Sequence, residues 1–280
     1  MTATLPGRDQ PPRASVLLRT FDSAATVAAV LDSVRAQTLP AEVVVVDSGS
    51  TDATLDLLRG RVERVVTMPR GSFTYGGALN LAAAAATTPV LVPLSSHCLL
   101  PHERWLEIAV GHVAAGAVAA CGQTHDGDGT PLTGPFAADH AYVGARQHWG
   151  LSNTAAALDA GVWRRHRFDE TLPASEDIEW TWRALADGGH LVVDPRLVVD
   201  GGHRRAAGAR AYSGRLRREV LALAHLRPLP PYGLRDALLD WGRPRARDPF
   251  VTPARPFGRT RLLDVATRWS AGREAAGRDR

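Results

Sequence analysis

The chain of 280 residues contains no lysine, so all 33 of its basic side chains are arginine. Schiff-base chemistry on a lysine, a Walker-type phosphate loop and a kinase-type catalytic lysine are thereby excluded. Cysteine is nearly absent as well. Cys98 and Cys121 alone cannot build a disulfide framework, and they fit a reducing cytoplasm. No long apolar run occurs: the one extended uncharged stretch, Gly71 to Pro101, is built on alanine and interrupted by Asn80, Pro89, Pro93, Ser95, Ser96 and His97. It is a poor membrane span and reads instead as helix, strand and motif in succession. Met1 to Arg13 is polar and holds prolines, so no signal peptide is expected.

What is present is an ordinary globular composition, 45% hydrophobic and 22% charged, in a chain long enough for one or two domains. The net charge of +4 hides an asymmetry: residues 1–203 carry 15 arginines against 22 acids, and residues 204–280 carry 18 against 7. The chain is an acidic body with a basic tail. Gly 26 and Pro 19 show no collagen period and no low-complexity repetition.

Periodicity sets the fold class. Ser15 to Leu18, Glu42 to Val46, Val62 to Thr67, Val90 to Leu94 and Val118 to Gly122 are short apolar runs that read as buried strands. Between them Val27 to Gln37, Ala53 to Arg59, Gly76 to Ala86 and Pro101 to Ala115 read as helices, the second closed by Gly60. Strand and helix in alternation predict a mostly parallel sheet covered on both faces. Residues 123–150 read as a long covering connection. A further helix is expected over Ala174 to Asp187 with Ser175 as N-cap, then strands at Leu191 to Asp194 and Leu197 to Val199. After His203, Leu216, Val220, Leu223 and Leu226 lie at helical spacing among arginines, and prolines follow. The expected division is a disordered 1–13, a body over 14–205 and a basic helical and Pro-rich extension over 206–280.

In an open parallel sheet the ligand crevice lies beyond the carboxyl ends of the strands. Those ends carry Arg19-Thr20-Phe21-Asp22, Asp47-Ser48-Gly49-Ser50-Thr51-Asp52 and Ser95-Ser96-His97. Asp47 suits a base or ribose contact, and equally an Asx turn in front of the next helix; both can hold at once. Arg70 followed by the helix start at Gly76-Gly77 suits a diphosphate. Glu176-Asp177 in a first helical turn are placed where the macrodipole favours an ionised carboxylate, which is a usable base. First-turn acids are also a common helix-start preference, and His97 and His203 are two of ten histidines.

Taken in order, these segments resemble the inverting glycosyltransferases of family two, whose fold is the nucleotide-sugar-binding GT-A fold, a Rossmann-like, mostly parallel α/β sheet with helices on both faces. The matching text is Ser15-Val16-Leu17-Leu18-Arg19-Thr20-Phe21, then Val43 to Asp52, Phe73-Thr74-Tyr75-Gly76-Gly77-Ala78-Leu79-Asn80, Leu94-Ser95-Ser96-His97, Ser175 to Trp180 and His203. It covers residues 13–205, and the Arg-rich helical extension lies outside it. The resemblance implies transfer of a sugar from a nucleotide-diphosphate donor, UDP- or dTDP-linked, to a hydroxyl acceptor with inversion. It implies donor contacts at Arg19, Thr20, Asp47, Ser48, Arg70, Gly76, Asn80, Ser95 and Ser96, with Asp177 as general base beside Glu176. It also implies a metal ligand at His203, and an acceptor of cell-envelope or polysaccharide synthesis.

The sequence departs from the family at Ser95-Ser96-His97, where the family writes Asp-x-Asp and binds its divalent metal with the last Asp. At about 4 Å and an effective dielectric near 20, a carboxylate attracts a unit positive charge by roughly 4 kcal/mol, which a neutral imidazole forgoes. Two readings stay open. His97 with His203 would suit Mn²⁺ better than Mg²⁺; or transfer is metal-independent, with His97 or Arg70 neutralising the leaving diphosphate. The missing carboxylates also raise the alternative of an inactive nucleotide-sugar-binding protein. The basic stretch Arg215 to Leu226 would let a cytoplasmic protein lie on the inner face of the membrane against a lipid-linked acceptor, or would be a packing helix. No nucleic-acid partner is expected, because the body is acidic.

Overall fold

The computed structural model describes residues 13–146, 149–201, 209–226, 235, 251–252, 266–271 and 273–274. Residues 1–12 and His203 lie outside them. Five expected strands appear near their places as β1 (Ala14–Thr20), β2 (Ala41–Asp47), β3 (Arg64–Thr67), β4 (Val90–Ser95) and β5 (Ala119–Cys121). The four expected helices between them are α1 (Val27–Arg35), α2 (Thr54–Leu58), α3 (Tyr75–Ala85) and α4 (Trp105–Ala114).

The covering connection holds more order than its composition suggests. It contains β6 (Phe136–Ala138) and α5 (His140–Gly144). Then follow β7 (Ala156–Asp159), α6 (Ala160–Arg165), α7 (Glu176–Ala186), β8 (Leu191–Val193) and β9 (Val199–Asp200). The strand expected at Leu197 to Val199 is shifted, because Pro195–Leu197 form a 3₁₀ turn with the Asp194 side chain accepting from the Arg196 amide. The proline's fixed φ and missing N–H suit that turn and not a ladder.

The sheet order is β3-β2-β1-β4-β7-β5-β8-β6. Strands β1 to β4 are mutually parallel, β7 runs antiparallel to both β4 and β5, and β6 runs antiparallel to β8. The apolar residues of α1, α2 and α4 pack on one face, and those of α3, α5, α6 and α7 on the other. Burial on both faces explains why β2 reads Val43-Val44-Val45-Val46 without alternation. The parallel strands β1, β2 and β4 all end at one edge, so Arg19, Thr20, Asp47 and Ser95 emerge together.

The basic extension contributes α8 (Ala209–Leu226) and β10 (Val251–Thr252), which pairs parallel with β9. Val220, Ala222 and Leu223 of α8 are buried, Leu223 in the core on the α7 side of the sheet and Val220 against Ala271. Arg217 reaches Glu274 in an ion pair. These three apolar residues of α8 are covered inside the chain, as a packing helix requires.

Candidate active site

At the end of β2 the Asp47 carboxylate, 1% exposed, accepts from the Thr20 hydroxyl (2.8 Å), the Gly49 and Ser50 amides (3.0 and 2.9 Å) and the Ser50 hydroxyl (2.5 Å). The Asx turn is therefore present, and it ties β1 to β2. With four hydrogen bonds made, three from the loop and one from Thr20 of β1, Asp47 has little capacity left for a ligand. Ser48 offers more: its hydroxyl is buried and has no hydrogen-bond partner among the described residues. Asp22 takes a positive φ of 45°; its carboxylate accepts from the Thr51 amide and its own amide donates to Ser50. Arg70 stands over this loop, with Nε donating to the Gly49 carbonyl (3.0 Å) and the guanidinium 5.3 Å from the Phe21 ring centre.

At the end of β4 the Ser96 hydroxyl pairs with Ser23 (3.0 Å), and the Ser96 carbonyl accepts from Thr26. His97 is half-buried. Leu99, two residues on, pairs with Asp200, which brings β9 alongside this loop. Among the described residues no group of three His, Cys, Asp or Glu side chains could hold a metal ion. The donor set on view is one imidazole and two hydroxyls. His203, the second ligand expected, lies outside the described residues, and no catalytic step below is routed through a metal.

Two implied donor contacts face elsewhere. Asn80 is buried; its amide nitrogen donates to the Phe168 carbonyl (2.9 Å) and Glu170 (2.8 Å), and its oxygen accepts from Trp163 Nε1 (3.0 Å) and the Phe168 amide (3.1 Å). Gly76 approaches the same segment so closely that a Cβ there would stand 2.5 Å from the Asp169 carbonyl oxygen. Thr74 caps α3 by accepting from Gly77 at 2.9 Å. As a correction to the sequence reading, the Asn80 side chain is fully used in docking α3 onto the 168–170 segment, against which Gly76 also packs, and does not face a donor.

The paired acids do reach the strand ends, held by a residue the sequence reading passed over. Asn153 lies in the lead into β7, where Thr154 accepts from the Ser95 amide at 2.9 Å and Ala155 bridges Leu94. The Asn153 amide donates to Asp177 Oδ2 at 3.0 Å, and its side-chain amide donates to Glu176 Oε1. Arg19 Nη2 donates to both Asn153 oxygens, at 3.0 and 3.2 Å, while Arg19 Nη1 is buried and has no partner among the described residues. Arg19 thus faces the acids rather than the Asp47 loop. The only signal in the sequence was a polar Ser152-Asn153-Thr154 set before the apolar Ala155 to Leu158.

Ser175 occupies the N-cap position of α7 but makes no side-chain cap; it takes a left-handed φ of 61°. Asp22 and Ser175 are the two non-glycine residues with positive φ among those described, and both flank this site. Such backbone persists where the surroundings dictate it.

Ionisation also differs from expectation. Burial outweighs the helix dipole: it raises Glu176, 2% exposed, from its ordinary 4.5 to about 7, with Asp177 adding to the rise and Arg19 opposing it. Asp177 is raised for the same reason, against the amides of Asn153 and Ile178 and the charge of Arg19. Between 4.5 and about 7 the folded Glu176 holds a proton that the unfolded chain releases, so stability is highest below that window and falls as pH rises through it. The loss approaches about 3 kcal/mol by pH 8. Glu176→Gln is expected to reduce most of this slope, as read by urea unfolding at pH 5 and pH 8; an unchanged slope would show that Glu176 is not its source.

The sequence matches the model of glycosyl transferase family 2 over residues 15–170. No curated protein matches it. Among solved structures, a mannosyltransferase from Pyrobaculum calidifontis in complex with GDP-mannose and Mn²⁺ superposes with a TM-score of 0.58 at 18% identity, covering 96% of this chain and 75% of the other. TarS from S. aureus superposes with a TM-score of 0.56 at 16% identity, covering 96% and 92%. Glucosyl-3-phosphoglycerate synthase from Mycobacterium tuberculosis, in complex with Mn²⁺, UDP and glucosyl-3-phosphoglycerate, gives 0.54 at 22%, covering 77% and 78%. These likenesses establish a shared fold.

Proposed function

Because the chain belongs to glycosyl transferase family 2, we propose that it transfers a sugar from a nucleotide-diphosphate donor to a hydroxyl acceptor with inversion, Asp177 acting as general base. One observation carries the reading: Asn153 brings the acid pair of α7 to the ends of β1 and β4. The fold places ligands there, and the Ser48 hydroxyl, buried with no hydrogen-bond partner among the described residues, is a polar atom that a polar ligand would satisfy.

In the proposed step the donor lies across the Asp47–Ser48 loop with its diphosphate towards Arg70. Asp177 removes the proton of the acceptor hydroxyl while that oxygen bonds to the anomeric carbon. The bond from that carbon to the diphosphate oxygen breaks on the opposite side, which inverts the centre and releases nucleoside diphosphate. Arg70, as a cation at the mouth, offsets the charge that develops on the leaving oxygens. Structural neighbours hold UDP, UDP-GlcNAc and GDP-mannose. The sequence favours a UDP- or dTDP-linked donor, and the basic extension favours a lipid-linked acceptor at a membrane surface.

A screen of nucleotide sugars for enzyme-dependent release of nucleoside diphosphate, run with Mn²⁺, with Mg²⁺ and with chelator, tests this. Release from one donor in at least one arm is expected. Ser95-Ser96-His97 in place of two carboxylates favours one rival, a nucleotide-sugar-binding protein without turnover. Donor binding without release in every arm would establish that rival and remove the transferase reading.

A further inference from the structure

Arg19 stands on β1 in register with Val46 and Ser95, yet its guanidinium serves a helix that arrives more than 150 residues later in the chain. Asn153 is the joint. Its two oxygens accept from Arg19 Nη2, and its two nitrogens donate to the two acids, the backbone N–H to Asp177 and the side-chain amide to Glu176. Both ends of the joint are anchored, Arg19 in the parallel ladder and Thr154 on the Ser95 amide. The Asp177 carboxylate is thereby held between sheet and helix, Oδ2 on the Asn153 amide and Oδ1 on the Ile178 amide of α7, at a helix start where Ser175 makes no side-chain cap.

We propose that Arg19 is the positioning residue for Asp177: through Asn153 it aims the carboxylate at the acceptor and supplies the positive charge that accompanies it. This rests on Asp177 being the base. The alternative for Arg19 is a direct donor contact, which its hydrogen bonds to Asn153 disfavour.

The electrostatics agree with the geometry. The groups around the pair are Glu176 and Asp177 from α7, Arg19 from β1, Tyr75 from α3, Cys98 just after β4 and Cys121 from β5. Burial pushes the Cys121 thiol up to about 11, so it carries no charge at neutral pH. Tyr75 lies with its ring centre 5.7 Å from the Arg19 guanidinium carbon. Arg19 is thus the cation of this group, and its charge holds both carboxyls below the values that burial alone would give them. Removing it should raise the titration of the pair as a unit.

The test uses full-length protein with ¹³C-labelled side-chain carboxyls, titrated by NMR, and needs no turnover. In Arg19→Met the Glu176 and Asp177 titrations are expected to move up by about one pH unit or more, whereas Arg19→Lys, which keeps the charge, should move them by well under half of that. In activity assays the acidic limb of kcat should follow the carboxyls, with the donor KM changed by less than about twofold. Arg19→Lys should keep the limb in place but lose about tenfold in kcat, because the shorter lysine stem ends before the place that Arg19 Nη2 holds between the two Asn153 oxygens. Carboxyl titrations that stay put in Arg19→Met, or a donor KM that absorbs the whole loss with the limb unmoved, would overturn the proposal. Should Arg19→Met fail to fold, Asn153→Ala gives the same reading: Glu176 must titrate higher and kcat must fall at constant donor KM, and an unmoved Glu176 overturns it. Carboxyls that shift in a protein that transfers no sugar would instead refute the transferase reading while leaving the Arg19–Asn153–acid arrangement intact.

Discussion

Asp177→Asn is expected to reduce turnover by about 10²- to 10⁴-fold, the usual contribution of a positioned general base, while donor affinity stays within a few-fold. The amide keeps the shape of the carboxylate and one acceptor oxygen, but it cannot take a proton. Asp177 now accepts from two backbone amides, Asn153 on Oδ2 and Ile178 on Oδ1 (2.9 Å). An asparagine must turn its NH₂ towards one of them, a donor facing a donor, at a cost of order 1–3 kcal/mol in stability. The protein should therefore fold and bind, and the loss should appear in kcat. Nucleoside diphosphate release gives the rate, and calorimetric titration with donor gives the affinity. A rate within about tenfold of wild type would remove Asp177 as the base.

A change outside the acid pair and its hydrogen bonds is expected to have the largest effect on stability. Gly122 follows β5, and a Cβ added there would lie 2.1 Å from the carbonyl carbon and oxygen of Leu197 and 2.3 Å from the Val198 amide nitrogen. All three are backbone atoms of the segment that carries β9, so no side-chain rotation relieves the clash. Overpacking against movable side chains costs about 1–3 kcal/mol; here two chain segments must part, and at least about 3 kcal/mol is expected, a fall in Tm of roughly 6–12 °C for a domain of this size. Gly111→Ala is the control. It lies within α4 with nothing within 4 Å of its added Cβ, and the gain in helix propensity should stabilise by up to about 1 kcal/mol. Thermal unfolding of the two variants compares them directly. A Gly122→Ala protein as stable as wild type would mean that the two segments are not packed as described.

Displacement at Gly122 should also reach the cleft, because Asp200 of β9 pairs with Leu99 just after the Ser95-Ser96-His97 loop. Loss of activity in Gly122→Ala below its unfolding temperature would be a second sign of the same contact.

The strands and helices of the first 121 residues were legible because burial on two faces leaves an unbroken apolar run, as in Val43 to Val46, while a one-sided helix leaves Val27, Val30, Leu31 and Val34 at helical spacing. The antiparallel β7 was not legible. Ala155-Ala156-Ala157-Leu158 is weakly β-forming, and its place between β4 and β5 comes from pairing with both. The cap expected at Ser175 failed because the chain enters α7 through a left-handed residue, so the side-chain oxygen makes no bond to a first-turn amide.

At the site, the sequence alone determined which residue types end the strands and begin α7, and therefore that a carboxylate pair, an arginine and small hydroxyl residues were available for sugar-nucleotide chemistry. Only the tertiary structure decided which of them meet. Asn80 was drawn into packing by Phe168 and Glu170, Asp47 was saturated by its own loop and Thr20, and Arg19 was turned to Asn153 and the acids. The tertiary structure also fixed the ionisation, since a pattern of residues places a carboxylate at a helix start but cannot report the desolvation that raises Glu176 to about 7. Local propensity depends on near neighbours along the chain, whereas burial and hydrogen-bond partners depend on segments more than a hundred residues apart, which only packing brings together.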